Sequence, residues 1–330
     1  MNYIGSKLRL SSFIYGAVTQ VAGEDLSSYS FCDLFAGTGT VGKLFQGKVK
    51  KITSNDREYY SYVINRAHFS KQLSDYNCLI EELNNLQGIP GFIFNQYSEN
   101  GKAGRLYFSE SNGKKIDAIR LKIKLWKKRG IIDEEMYLFL LSILIRGADK
   151  VANTASVYAS YLKKLKQSAR KEVLLYPVAL NHTDNTICEV FQEDSNVLIE
   201  KIEGDILYLD PPYNRREYAS NYHLLNTIAL YDTSFTPKGK TGVRKYVTSS
   251  YCKKSEAVIA LEELISKARF RYVFLSYNNE GWISSGEIRK IMQKYGRYSI
   301  FSSVYKRFKS QNTSIQNNIT TEFIHVLEKY

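Results

Sequence analysis

The chain has 330 residues, enough to bury a sizeable core in one large domain with an insertion or second domain. Lys and Arg number 46 against 33 Asp and Glu, a net charge of +13, and such a surplus serves a polyanion through phosphate contacts and counterion release, the plain alternative being a soluble basic surface. Cys32, Cys78, Cys188 and Cys252 show no CxxC spacing and the four histidines do not pair with them, which argues against a zinc site and against a disulfide framework.

The N-terminal "MNYIGSKLRLSSF" has no continuous apolar region, and no run approaches the roughly 18 apolar residues of a membrane span. A reduced, cytoplasmic protein is expected. After an amphipathic helix near the start, "SFCDLFAGTGTVGKLF" reads as a buried strand, a glycine turn and a helix. "KKITSNDREYYSYVINRAHF" continues with a strand over Ile52–Asn55, the acid Asp56 and a helix, which begins a βαβ unit and predicts a parallel sheet. From about 77 to 180 the pattern changes to a polar, turn-rich stretch and two helical segments, "IDAIRLKIKLWKKRG" and "DEEMYLFLLSILIRGADKVA". Strand and helix then alternate again through "DILYLDPPY", "YASNYHLLNTIALYD", "KSEAVIALEELISKAR" and "YVFLSYN" to two terminal strands, "YSIFSSVYK" and "TTEFIHVLEKY". The expected architecture is one α/β domain over 1–76 and 180–330, interrupted by a mainly helical insertion at 77–179.

Three constellations carry chemistry. Asp33-Leu34-Phe35-Ala36-Gly37-Thr38-Gly39-Thr40 places glycines at a strand-to-helix turn, where the missing Cβ lets a ligand approach the backbone. An ordinary tight turn is the alternative, and no Lys-Ser/Thr pair follows at the spacing of a phosphate loop. Asp56, about 20 residues further on, can accept both hydroxyls of a ribose or can cap a helix. The third is Asp210-Pro211-Pro212-Tyr213. Asp210 can accept a hydrogen bond from an exocyclic amine, and Pro212 restricts the residue before it, so that the Pro211 carbonyl forms a second acceptor. Tyr213 can stack on a flat ring, worth about 1–3 kcal/mol per base. The alternative is a Pro-Pro turn that ends a strand beside a solvated Asp.

In this order the three motifs resemble the amino-methyltransferases that use S-adenosylmethionine. Tyr3-Ile4-Gly5-Ser6-Lys7 is similar to the opening of the Dam-like class of DNA adenine-N6 methyltransferases, and "DPPYNRREYASNYHLLNTIALYD" resembles the FokI-type modification enzymes. About 170 residues between Gly39 and Asp210 leave room for target recognition between the two motifs. The resemblance implies a Rossmann-like S-adenosylmethionine-dependent fold, a mostly parallel sheet with an antiparallel last strand. It implies cofactor contacts from Tyr3, Lys7, Asp33, Phe35, Gly37, Gly39 and Asp56, with Asp194 in "FQEDSNVLI" near the cofactor adenine, and catalysis by Asp210, Pro211, Pro212 and Tyr213. The substrate would be an adenine rotated out of duplex DNA, with no metal ion required. The Asp at the head of the cluster resembles adenine-N6 more than cytosine-N4 enzymes.

DNA contacts are expected from Lys163 and Lys164, from Arg215, Arg216 and Asn221 after the catalytic cluster, and from Lys238, Lys240, Arg244 and Lys245 in a basic stretch with no acid between Asp232 and Glu256, read as a mobile loop. His223 reads as a packed histidine. The expected protein is a monomer that modifies DNA beside a companion restriction endonuclease. The competing readings are an adenine or guanine amino-methyltransferase of structured RNA, and a catalytically silent nucleic-acid-binding protein on the same fold.

Overall fold

The computed structural model of the chain describes residues 7–70, 76–177, 185–306 and 319–330. Two compact units account for it: a sheet unit of Gly5–Tyr62, Thr183–Glu217 and Thr248–Tyr330, and a helical unit that includes Val63–His182 and Tyr218–Val247.

In the sheet unit the strands are β1 (Ser30–Asp33), β2 (Lys51–Asn55), β3 (Ile187–Phe191), β4 (Glu203–Leu209), β5 (Arg269–Asn278), β6 (Gly296–Lys306) and β7 (Ile319–Lys329). They form one sheet in the order β3-β2-β1-β4-β5-β7-β6. The pairs from β3 to β5 are parallel, and β7 enters antiparallel between β5 and β6. This is the expected mostly parallel sheet with an antiparallel last strand.

The near-continuous apolar letters of β4 and β5 follow from burial on both faces. On one face Phe31 stacks on Phe45 at 4.0 Å between ring centroids and lies 6.4 Å from Tyr208. On the other, Cys32, Leu207, Leu209, Val273 and Leu275 join Leu261, Leu264 and Ile265 of the helix Lys254–Lys267 and Ile288 and Met292 of the helix Ser285–Gln293. The chain leaves β1 towards β2 on one side and reaches β4 on the other. The crevice beyond the carboxyl ends of β1 and β4 is therefore the topological switch point, where open α/β sheets bind ligands.

The helical unit is built around the helices Glu110–Lys128 and Glu134–Val151. Each starts with a side-chain cap, Ser109 accepting from the Asn112 amide and Asp133 from the Met136 amide, and each has at least one acid in its first turn and lysine in its last. The expected boundaries at 76/77 and 179/180 differ from this division, because Tyr218–Val247 belongs with the helices. The reason is burial and capping: the helix His223–Leu230 buries Leu224, Leu225 and Ile228, and Arg120 donates to its last carbonyls, Ile228 at 3.0 Å and Ala229 at 2.9 Å. Buried Asp117 accepts from the amides of Gly91, Ile93 and Phe94 and from the Tyr231 hydroxyl. The stretch "KKIDAIRLKIKLWKKRG" thus spends part of its charge inside, with Lys115 donating to the carbonyls of Asn84 and Leu86.

Asp117→Ala would leave four donors without their acceptor, so the unfolding free energy should fall by about 3–5 kcal/mol. Urea unfolding followed by circular dichroism measures this, and a loss below about 1 kcal/mol would contradict the role given to Asp117.

Candidate active site

The glycine turn begins where β1 ends. Gly37 has φ of +53° and Gly39 of +73°, the left-handed region where a Cβ costs roughly 1–2 kcal/mol, and Gly39 opens the helix Thr40–Phe45. Asp56, just past β2, clamps this turn. Its Oδ2 accepts from the Gly37 amide at 2.8 Å and its Oδ1 from the Glu58 amide at 2.9 Å, while the Ser61 hydroxyl donates to the Gly37 carbonyl. Burial raises the Asp56 carboxyl above its ordinary pKa, and the Glu58 and Gly37 amides pull it back. Asp33 is buried at the end of β1. It accepts from the Gly42 amide at 3.3 Å, and its Oδ1 has no hydrogen-bond partner among the described residues. Burial, reinforced by the charge of Asp210, pushes Asp33 up to about 8. Phe35 meets Tyr251 edge-on at 5.3 Å.

The Asp-Pro-Pro-Tyr cluster follows directly on β4. Alternation along the strands turns Asp33, Tyr208, Ser276 and Glu322 to one face, since Asp33 lies beside Tyr208, and Asn278 beside Glu322. At the ends of these strands Lys7 lies between two carboxylates, its Nζ 3.1 Å from Asp210 Oδ1 and 2.6 Å from Glu322 Oε1. Ser276 Oγ donates to the same Glu322 oxygen at 2.5 Å. Burial alone would lower the Lys7 pKa, but the two carboxylates more than offset it and hold it well above the ordinary lysine value. Asp210 stands at about 6, raised chiefly by burial, lowered by Lys7 and raised again by Glu322. The Tyr213 carbonyl accepts from the Trp282 amide at 2.9 Å, and its ring lies 6.1 Å from that of Tyr277, nearly perpendicular to it. Together these contacts make a rigid acceptor beside a half-buried aromatic ring.

Lys7, Asp33, Phe35, Gly37, Gly39, Asp56 and Asp210 to Tyr213 all belong to the sheet unit. Tyr3 lies outside the described residues. Asp194 caps the short helix Ser195–Leu198 through the Asn196 amide and stands 3.9 Å from Arg57. Arg215 and Arg216 are exposed and form no ion pair among the described residues.

The remaining expected DNA contacts belong to the helical unit. Lys163, Lys164, Lys238, Lys240 and Lys245 are exposed there, whereas the Asn221 carbonyl accepts from the Tyr158 amide at 2.7 Å. Arg244 differs from the expectation of a solvent-facing cation: it pairs with Asp232 at 3.5 Å and lies over the Phe235 ring at 4.3 Å. The loop read as mobile is braced at its base, Arg105 donating to the carbonyls of Pro237 and Gly239 and Tyr97 to that of Gly242. His223 is a packed histidine, its Nε2 3.0 Å from the Tyr158 carbonyl oxygen.

Two residues of the cluster were not singled out from sequence, Ser276 and Glu322. The one available signal for Glu322 is a carboxylate in phase with the buried Ile324 and Val326 on β7.

A family model described as D12 class N6 adenine-specific DNA methyltransferase matches residues 3–291. The chain belongs to this family. This D12-class methyltransferase is 52% identical over 334 residues to the type II methyltransferase M.NlaIII of Neisseria lactamica, covering 100% of this chain and 99% of the relative. It is 37% identical over 350 residues to M.FokI of Planomicrobium okeanokoites, of which it spans only 53%, about half. To M.CviAII of Paramecium bursaria Chlorella virus 1 it is 37% identical over 330 residues, covering 97% of this chain and 96% of the relative. The enzyme class expected from the motifs therefore holds, and the substrate is DNA. No helix among the described residues is long and apolar enough to cross a membrane.

Lys7→Met would leave Asp210 and Glu322 facing each other without their ammonium. Unfolding free energy should fall by about 3–5 kcal/mol at pH 8. The deficit should shrink at pH 6. Without Lys7 the folded-state pKa of Asp210 rises further above its unfolded value, so the folded protein binds a proton that the unfolded one lacks, and stability grows as pH falls. Thermal unfolding at the two pH values checks this, and an equal deficit at both would contradict it.

Proposed function

We propose that this methyltransferase takes its methyl group from S-adenosylmethionine and places it on the N6 amine of an adenine rotated out of duplex DNA, as the modification component of a restriction-modification system. The observation that carries the reading is the half-buried acceptor Asp210, braced by Lys7 at the switch point beside the glycine turn. The relatives' names, all type II methyltransferases, support the restriction-modification setting.

The residues at the turn fit the cofactor. Gly37 and Gly39 leave the backbone open to close approach, Asp56 is a fixed carboxylate at the position suited to ribose hydroxyls, and the unpartnered, buried Asp33 Oδ1 suits an ammonium donor. Lys7, Phe35, Asp194 and, outside the described residues, Tyr3 complete the proposed contacts. When bound, S-adenosylmethionine supplies a sulfonium-activated methyl, so what the chain must contribute is alignment and electrostatic support. Asp210 accepts a hydrogen bond from the target amine and opposes the positive charge that develops on its nitrogen, the Pro211 carbonyl provides the second acceptor, and Tyr213 stacks on the base. Unstacking costs a few kcal/mol, offset by that stacking and by phosphate contacts from Lys163, Lys164, Arg215, Arg216, Lys238, Lys240 and Lys245. Arg244 contributes by holding the loop through Asp232, and Asn221 follows the cluster on its helix. We assign target recognition to the insertion at 77–179, and read the protein as a cytoplasmic monomer with a companion endonuclease.

Expression in a host lacking adenine methylation, followed by mapping of modified bases, tests this directly. Methyladenine at one short recurring sequence, lost with Asp210→Ala, is the expected result. In vitro, kcat/KM should fall about tenfold per pH unit below about 6, where a proton cancels the charge of Asp210. Methylation of structured RNA with unmodified DNA would overturn the substrate assignment.

A further inference from the structure

Glu322 has no part in the mechanism above, yet it is the most deeply buried of the three ion-paired groups Lys7, Asp210 and Glu322. Its side chain is 2% exposed, against 8% for Lys7 and 18% for Asp210. It is fixed from two sides: the register of β7 on β5 sets it beside Asn278, and the Ser276 hydroxyl holds its Oε1 at 2.5 Å. The Lys7 ammonium lies 0.5 Å closer to Glu322 than to Asp210, at 2.6 against 3.1 Å. A single ammonium shared between two carboxylates leaves the cluster with one net negative charge. With Glu322 neutral, the same ammonium would belong to Asp210 alone and would cancel its charge.

We propose that Glu322 is a positioning residue for methyl transfer, holding Lys7 back so that Asp210 keeps its place and its strength as the acceptor of the target amine. The proposal rests on the reading of Asp210 given above. In its absence Lys7 is free to close on Asp210, forming a tighter pair that competes with the amine for the same oxygens. The ionisable groups around Asp210 among the described residues are Lys7 from the N-terminal turn, Asp33 from β1, Tyr208 from β4, Glu322 from β7 and Tyr213 from its own turn. Lys7 is the only cation among them. Removing the Glu322 charge therefore strengthens the hold of Lys7 on Asp210 and makes Asp210 the stronger acid.

The test is the pH profile of Glu322→Gln, a replacement of nearly equal shape, measured as single-turnover methylation of a duplex carrying the target sequence that the base mapping identifies. The expected result is a rate at pH 8 lowered about tenfold and an acid limb displaced downwards by about one pH unit, with substrate KM little changed. A merely structural glutamate would lower the amount of folded enzyme without moving the limb. A parent-like rate and a parent-like limb overturn the proposal. If Glu322→Gln does not fold, Ser276→Ala decides: it frees the Glu322 oxygen without changing any charge, and should lower the rate several-fold with the limb in place, a parent-like rate overturning the proposal. Asp210→Asn separates this from the underlying reading. A variant that keeps both the rate and the limb shows that Asp210 is not the acceptor, whereas loss of both with Glu322→Gln parent-like faults Glu322 alone.

Discussion

One buried ammonium organises the site. Lys7 comes from the N-terminal turn, Asp210 from the end of β4 and Glu322 from β7, three stretches that meet only because the sheet inserts β7 between β5 and β6. A desolvated carboxylate is expensive, and an acceptor close to a reacting amine must be both dry and charged. In the role proposed for Asp210, sharing Lys7 with a second carboxylate would meet both needs, since the counter-charge is present but not used up on Asp210. The parallel strands supply the rest: β1, β2 and β4 end side by side, so that Asp33, Asp56 and Asp210 surround one crevice, and the glycine turn keeps its floor open.

The charge surplus has a second use besides contact with DNA. Arg120 caps a helix, Lys115 and Arg105 hold loop carbonyls, and Lys166 donates to the Thr154 carbonyl at 2.8 Å. Long cationic side chains suit this work because their stems pack among apolar groups while the head satisfies carbonyls that helices and strands leave over. Lys163, Lys164 and Lys240 stay exposed, as the proposed phosphate contacts require. A count of basic residues thus overstates the surface charge of this chain.

What could be read from the letters was what is local. The turn around Gly37 and Gly39, the acid Asp56 and the cluster from Asp210 to Tyr213 each announce themselves within a few residues, because the backbone and the chemistry there demand those residue types. The sheet followed from the strand-helix alternation, and its antiparallel last strand from the resemblance. Glu322 was illegible since its partner is 315 residues away and its place depends on the register between β5 and β7. The same holds for Tyr218–Val247, whose helix looked like a continuation of the catalytic cluster until Arg120 and the packing of Leu224 and Leu225 assigned it to the helical unit. Arg244 read as a free cation because Asp232, twelve residues earlier, reaches it only through the fold of the loop.

The distance in sequence between Lys7 and Glu322 has a bearing on synthesis as well. β1 pairs with β4 about 175 residues later, and the helical segments emerge in between. At about 5–20 residues per second, the hydrogen-bonding edge of β1 stays unpaired for roughly 10–35 s on the ribosome. The ammonium of Lys7 must wait longer still, until β7 slots in beside β5. The Asp210–Lys7–Glu322 arrangement therefore takes its final form only as the sheet closes, and a partly made chain holds the motifs of a methyltransferase without that arrangement of charge.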